Sequence, residues 1–329
     1  MQTIKKEKIA SKPSRPGKKL QSRTGIAGVF HELMTNRVLY LMVIPALVWL
    51  LMFQYIPMYG IQLAFKKFNF GQGILGSKWN GLDNFKFFFK SIYFPQVTRN
   101  TLFINLVSMA FSVISQVGVA LLLNEVLSKH LKKGFQTAMF FPYFISWVAV
   151  SIFVHAMLSE RYGMLNSIIR ALGGEGSTWY NMPQIWPWIL IGLNVWKGLG
   201  YNVVIYLARI TSIDQELYEA ARIDGCNKFQ EITKITLPML IPTIIMLVIL
   251  GLGGMFRGNL DMILSVVGDN GVLLETTEVI DTYVYRAMRI NNQYGMAAAV
   301  GLVQSVLGLI LVSVTNWLVK KYDKEMGLF

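Results

Sequence analysis

The sequence predicts an all-α integral membrane protein with about six transmembrane helices. Of the 329 residues, 53% are hydrophobic and only 15% charged, too apolar a balance for a chain of this size folded in water. The apolar residues also gather into six runs, each close to the ~20 residues that cross a bilayer as a helix. Finally, Lys and Arg outnumber Asp and Glu by 31 to 18, a formal net charge of +13, as expected where basic loops hold a membrane protein in orientation. Nucleic acid is not the expected partner, because the basic residues are scattered between apolar runs and form no single basic face.

In chain order, residues 1–37 read as a basic cytoplasmic tail. They carry Lys5, Lys6, Lys8, Lys12, Arg15, Lys18, Lys19, Arg23 and Arg37 against Glu7 and Glu32. A cleavable signal peptide is not expected, since its apolar part would fall within the first ~30 residues and the first apolar run starts near Val38. The transmembrane domain is expected over 38–319, with spans at 38–59, 101–126, 137–158, 185–207, 239–256 and 296–319. The connection 128–136 holds Lys129, Lys132 and Lys133, and the tail 320–329 begins Lys320-Lys321, so both read as cytoplasmic. Segment 60–100 then lies outside, although Lys66, Lys67, Lys78, Lys86, Lys90 and Arg99 fall in it. Orientation rules weaken as loops lengthen, and inversion would place the more basic N-terminus outside. Its aromatic run 85–89, after Gly71, Gly73 and Gly76, reads either as a short amphipathic helix on the outer interface or as a solvated loop folded against its neighbours.

Cys226 is the only cysteine, so neither an intrachain disulfide nor a thiolate zinc site is expected. The three histidines, His31, His130 and His155, have no spacing that points to a shared metal. No G-x-x-x-x-G-K-[ST] phosphate cradle occurs, nor H-E-x-x-H or G-x-S-x-G, so no catalytic residues and no cofactor are expected in this chain. An ion-driven transporter would place ionisable residues inside its spans and often shows paired repeats; neither is clear.

The most informative stretch is the loop 211–238, between the fourth and fifth spans. It reads as two short helices. Ser212 and Gln215 have capping-box spacing, Gly225 stands where a left-handed residue would end the first helix, and Pro238 makes a natural break before the next span. The first helix has a charged side with Glu216 and Glu219 and an apolar side with Leu217 and Ala221. Ala220 and Ala221 let another surface approach the backbone, and Glu219 is free to pair with a basic partner. From these residues alone, a partner-docking helix and a loop helix packed on its own membrane domain are both open.

Glu219-Ala220-Ala221, Asp224-Gly225 and the closing Ile235-Thr-Leu-Pro238 resemble the signature loop of binding-protein-dependent inner-membrane permeases, in particular the maltose-type sugar subfamily. Trp196-Lys-Gly-Leu-Gly200, Gly81-Leu-Asp-Asn-Phe85 and Asn100-Thr101 are similar to that family in order and spacing, and the subgroup resembled is the one associated with complex oligosaccharides. The resemblance implies a coupling helix seated on a pair of cytoplasmic ATPase subunits, which bind the ATP and Mg. It also implies a second homologous permease, an extracytoplasmic solute-binding protein and an oligosaccharide substrate in a bacterial inner membrane. Coupling then falls to Glu219, Ala220, Ala221, Asp224, Gly225 and Pro238. Substrate contacts at the ends of the fourth and fifth spans fall on Asn194, Gly198, Tyr201, Arg257 and Asn259. An arginine there suits uronates, whose carboxylates it binds in a bidentate manner; its other expected role is an ion pair with Asp261.

Overall fold

The computed structural model describes residues 34–328, so most of the basic run 1–37 lies outside the described residues. Among the described residues, five helices are long and apolar enough to cross a membrane: Arg37–Phe65, Phe94–Asn124, Pro183–Thr211, Lys228–Leu252 and Tyr294–Tyr322. A bent pair, Lys129–Phe144 with Trp147–Leu158, makes a sixth if counted as one span. The expected all-α membrane architecture is what the chain adopts.

Residues up to Tyr59 form one unit. Its helix α1, Arg37–Leu50, is apolar on every side and buries none of its residues, which suits lipid or a helix of another chain. It passes into a π turn, Leu51–Tyr55. Pro57 follows that turn, and a wider turn accommodates a residue that has no N–H to donate.

The second unit begins at Gly60. A short hairpin, β1 (Lys66–Lys67) with β2 (Lys78–Trp79), pairs Lys66 with Trp79. It precedes α2, Asp83–Phe89. Lys66 is buried, and its ammonium donates to the carbonyls of Ile74 (2.8 Å) and Leu75 (3.2 Å), so this lysine is a structural tie within its loop. Asn84 Nδ2 donates to the carbonyls of Ala64 (2.9 Å) and Lys66 (3.0 Å). The aromatic run is divided: Phe88 enters a core with Val97, Ile280, Ala287, Met296 and Val300, while Phe87 and Phe89 stay exposed.

The span α3, Phe94–Asn124, starts about two turns before the expected Thr101. Asn100 and Thr101 lie inside it because both bond to neighbouring backbone: Asn100 Nδ2 donates to the carbonyls of Glu275 and Glu278 (both 3.0 Å), and Thr101 Oγ1 accepts from the Ile280 N–H (2.9 Å). Along its length α3 packs on α6, Trp186–Thr211. The core between them holds Val117, Ala120, Val203, Tyr206 and Ile210.

The third apolar run is two helices and not one. Helix α4, Lys129–Phe144, and α5, Trp147–Leu158, meet at 99°. Ile145 and Ser146 are extended, and the Ser146 hydroxyl caps α5 by accepting from the Ala149 N–H (3.2 Å). Such a break strands carbonyls where water is scarce. Lys197 of α6 meets them: its ammonium donates to Pro142 (3.1 Å), to Tyr143 (3.0 Å) and to Ile145, and lies 5.2 Å from the centre of the Trp147 ring. Three protons thus serve three carbonyls. Gly200, one turn on, lets α4 approach so closely that an added Cβ would stand 2.2 Å from the Met139 oxygen.

The fifth span also departs from expectation. Helix α8, Lys228–Leu252, runs straight through Pro238 because a π turn, Ile232–Thr236, lies just ahead of the proline. At its other end it stops four residues short of Phe256, at a glycine-rich turn, and a short helix α9, Leu260–Val266, follows. After α10, Ile280–Asn291, the last span α11, Tyr294–Tyr322, extends past Lys320-Lys321. The Leu328 N–H returns to Asn316 Oδ1 (2.7 Å).

Replacing Lys197 by Met should strand the α4 carbonyls, at about 1–3 kcal/mol for each buried group left unpaired. We expect a fall of about 5 °C or more in the unfolding temperature of the detergent-purified protein. Unchanged melting would show that the bend does not depend on this lysine.

Candidate functional site

The loop between α6 and α8 carries a short helix α7, Gln215–Ile223. Its N-cap is Asp214, whose carboxylate accepts from the Glu216 N–H (3.0 Å). The expected Ser212–Gln215 capping box does not form, because Ser212 ends α6 and donates its hydroxyl to the Arg209 carbonyl (2.7 Å). A capping box does form at Asn227 and Gln230, which exchange two bonds of 2.9 Å at the start of α8.

The C-terminus of α7 closes as the sequence indicates. Asp224 is the C-cap and Gly225 takes φ +81°, the left-handed conformation that glycine enters without steric cost. The Cys226 N–H reaches the Ala221 carbonyl (2.9 Å) and the Gly225 N–H the Arg222 carbonyl (3.1 Å), the paired bonds of a Schellman motif. Capped at both ends, α7 keeps its shape with little burial of its own.

Only Tyr218 of α7 is buried, and its hydroxyl bonds to Thr236 Oγ1 of α8 (2.9 Å). Glu219 and Ala220 are exposed and Ala221 half-buried. Among the described residues Glu219 forms no ion pair. Large apolar side chains of the loop are also exposed: Ile223 is 86% exposed, Phe229 74%, and Leu217 is exposed too. Pro238 lies within α8.

Behind α7 lies an ion-pair network that the sequence did not announce. Arg222 of α7 grips Glu231 of α8, Nε to Oε1 at 2.8 Å. Lys228 bridges Glu231 (3.3 Å) and Glu125 (3.1 Å), the residue that ends α3. Hydrogen bonding to Glu231 pushes the Arg222 guanidinium further above its ordinary range, so it keeps its charge. Spacing could have found only the Lys228–Glu231 pair, at i, i+3; the other contacts join different helices.

The expected substrate residues fall into two groups. Asn194, Gly198 and Tyr201, spaced i, i+4, i+7, share one face of α6. The space beside Gly198 is open, and the Tyr201 ring stacks on Tyr143 with centroids 5.2 Å apart. The bend after α4 leaves Tyr143 there, an aromatic face that the sequence reading missed. Arg257 and Asn259 lie instead on the turn after α8, and no hydrogen bond or ion pair joins the two groups among the described residues.

That turn is held from three sides. Asn105 Nδ2 donates to the carbonyls of Met255 (2.7 Å) and Arg257 (2.8 Å), Gln304 Nε2 to that of Phe256 (2.7 Å), and the Gly258 N–H to Asp281 (2.5 Å). Asn259 caps α9, its Oδ1 accepting from the Met262 N–H (3.2 Å). The Arg257 guanidinium is exposed and donates to Ser305 Oγ (3.1 Å). It forms no pair with Asp261 and none with another carboxylate among the described residues.

The family described as binding-protein-dependent transport system inner membrane component matches residues 110–324. The chain belongs to this family. The permease is 35% identical over 291 residues to protein LplB of Bacillus subtilis, covering 88% of this chain and 91% of that protein. It is also 35% identical to the polygalacturonan/rhamnogalacturonan transport system permease protein YteP of the same organism, over 89% of this chain and 91% of that protein. A crystal structure of a bacterial ABC transporter involved in the import of the acidic polysaccharide alginate contains a chain of the same fold. That chain is 33% identical with a TM-score of 0.81, covering 90% of the permease and 99% of its own length. The chain is therefore a membrane permease of a sugar transport system.

Proposed function

We propose that the permease is the translocation subunit of an ATP-driven importer of acidic oligosaccharides. The observation that carries this reading is α7: a helix capped at both ends that exposes Glu219, Ala220, Leu217 and Ile223 at the polar end of a bundle of membrane helices. In this reading α7 seats in a cleft of one of two cytoplasmic ATPase subunits, where Glu219 pairs with a basic side chain. ATP and Mg belong to those subunits. A second, homologous permease completes the pathway, and an extracytoplasmic binding protein delivers the sugar. Both termini are cytoplasmic. ATP drives transport because its binding favours one of two arrangements of the pathway.

The acidic substrate class follows from two considerations. YteP is named for polygalacturonan and rhamnogalacturonan, and the matched importer for the acidic polysaccharide alginate. Arg257 adds a physical one: an exposed guanidinium without a carboxylate partner among the described residues, on a turn whose backbone is fixed by Asn105, Gln304 and Asp281. A fixed fork of this kind recognises carboxylates. Tyr143 and Tyr201 offer faces against which sugar rings stack.

The test is uptake and ATP hydrolysis by the complex in lipid, with binding protein loaded with acidic or neutral oligosaccharide. Arg257→Gln should lower uptake of acidic oligosaccharides about tenfold, the value of one hydrogen bond to a charged group, and leave neutral ones nearly unchanged; equal losses would remove the charge recognition. Glu219→Lys should abolish ATP-dependent uptake while the protein still purifies folded, and full uptake in that variant would argue against docking through α7.

A further inference from the structure

We infer that Glu231 is a positioning residue for coupling, the centre of a latch that makes α7, the base of α8 and the end of α3 move as one body. This rests on the docking role proposed for α7 and adds to it the route by which force leaves that helix.

A nine-residue helix that buries one side chain has little apolar area to hold it in place. Its remaining ties to the membrane domain are polar. The Glu231 carboxylate is only 4% exposed, and both oxygens are used: Oε1 takes Arg222 Nε at 2.8 Å, while Oε2 takes Lys228 at 3.3 Å and Arg222 Nη2 at 3.4 Å. A guanidinium gripping both oxygens fixes orientation as well as distance. Lys228 continues the chain of charges to Glu125 at 3.1 Å, where α3 ends.

Convergence of two cations from different helices on one carboxylate is what makes this arrangement a latch. A surface pair could part at small cost. Here separation would break three charge-assisted contacts of one carboxylate at once, to Arg222 Nε, Arg222 Nη2 and Lys228, and such bonds are about twice as strong as neutral ones. The Tyr218–Thr236 bond, 2.9 Å and buried, joins the same two helices at a second point. Two separated bonds prevent α7 from swivelling about either. A displacement of α7 by an ATPase is therefore carried into the spans, with α8 ending at the Arg257 turn and α3 reaching that turn through Asn105.

The test uses the full complex in lipid and reads sugar transported per ATP hydrolysed. Glu231→Gln keeps the shape but removes the charge; we expect ATPase subunits still to co-purify and the ratio to fall about tenfold, within the usual range of coupling between sites. The conservative Glu231→Asp, which keeps the charge shared by Arg222 and Lys228, should recover most of the ratio. A ratio unchanged in Glu231→Gln, or uptake and hydrolysis falling in parallel, would overturn the latch. Should Glu231→Gln fail to assemble, Glu231→Asp decides: an assembled complex with a low ratio overturns it, and one with a near-normal ratio supports it. Failure of ATPases to co-purify with the unaltered permease would instead refute docking itself.

Discussion

Backbone polar groups inside a bilayer have no water to bond, so each must find a partner within the protein. This constraint governs every place where the permease departs from a plain bundle. Where α4 ends at the bend, the Lys197 ammonium serves the three carbonyls freed there. Where α8 stops short, Asn105 and Gln304 serve those of Met255, Phe256 and Arg257. The irregular segments are consequently fixed in shape. They also carry Tyr143 and Arg257, the side chains suited to meeting a sugar.

The loop between α6 and α8 obeys a related rule. With little burial available, α7 depends on local closure: Asp214 at its start, the Gly225 turn at its end, and a new cap at Asn227 from which α8 begins. Its apolar residues Leu217 and Ile223 remain exposed, as the proposed docking requires. The residue held inside is Tyr218, and the charge held inside is Glu231. Rigidity and exposure are thereby combined in one short element.

Much of this was legible in the sequence. Composition and run length gave the membrane class and the spans, and the left-handed Gly225 followed from its place after an amphipathic stretch. The failures have physical causes. The run through Ile145 is apolar throughout, so hydropathy cannot show that Ser146 caps a new helix or that Lys197 on another span makes the break affordable. Pro238 reads as a break because local rules ignore the π turn that absorbs it. Ser212 and Asp214 are both competent caps two residues apart, and the choice was made by where α6 ended. Arg222 and Glu231 meet across two helices, a relation that no periodicity encodes.

The central claim is that the capped, latched α7 and the span α8 form one rigid lever. The most direct measurement is the distance distribution between spin labels at Gln215→Cys and Leu250→Cys, with Cys226→Ser, in the assembled complex with and without bound ATP. Both sites are exposed and lie at opposite ends of the proposed lever. The account predicts one narrow distribution that is the same in the two states. A distribution that broadens, or shifts by several Å on ATP binding, would contradict it and place the moving joint between α7 and the membrane domain.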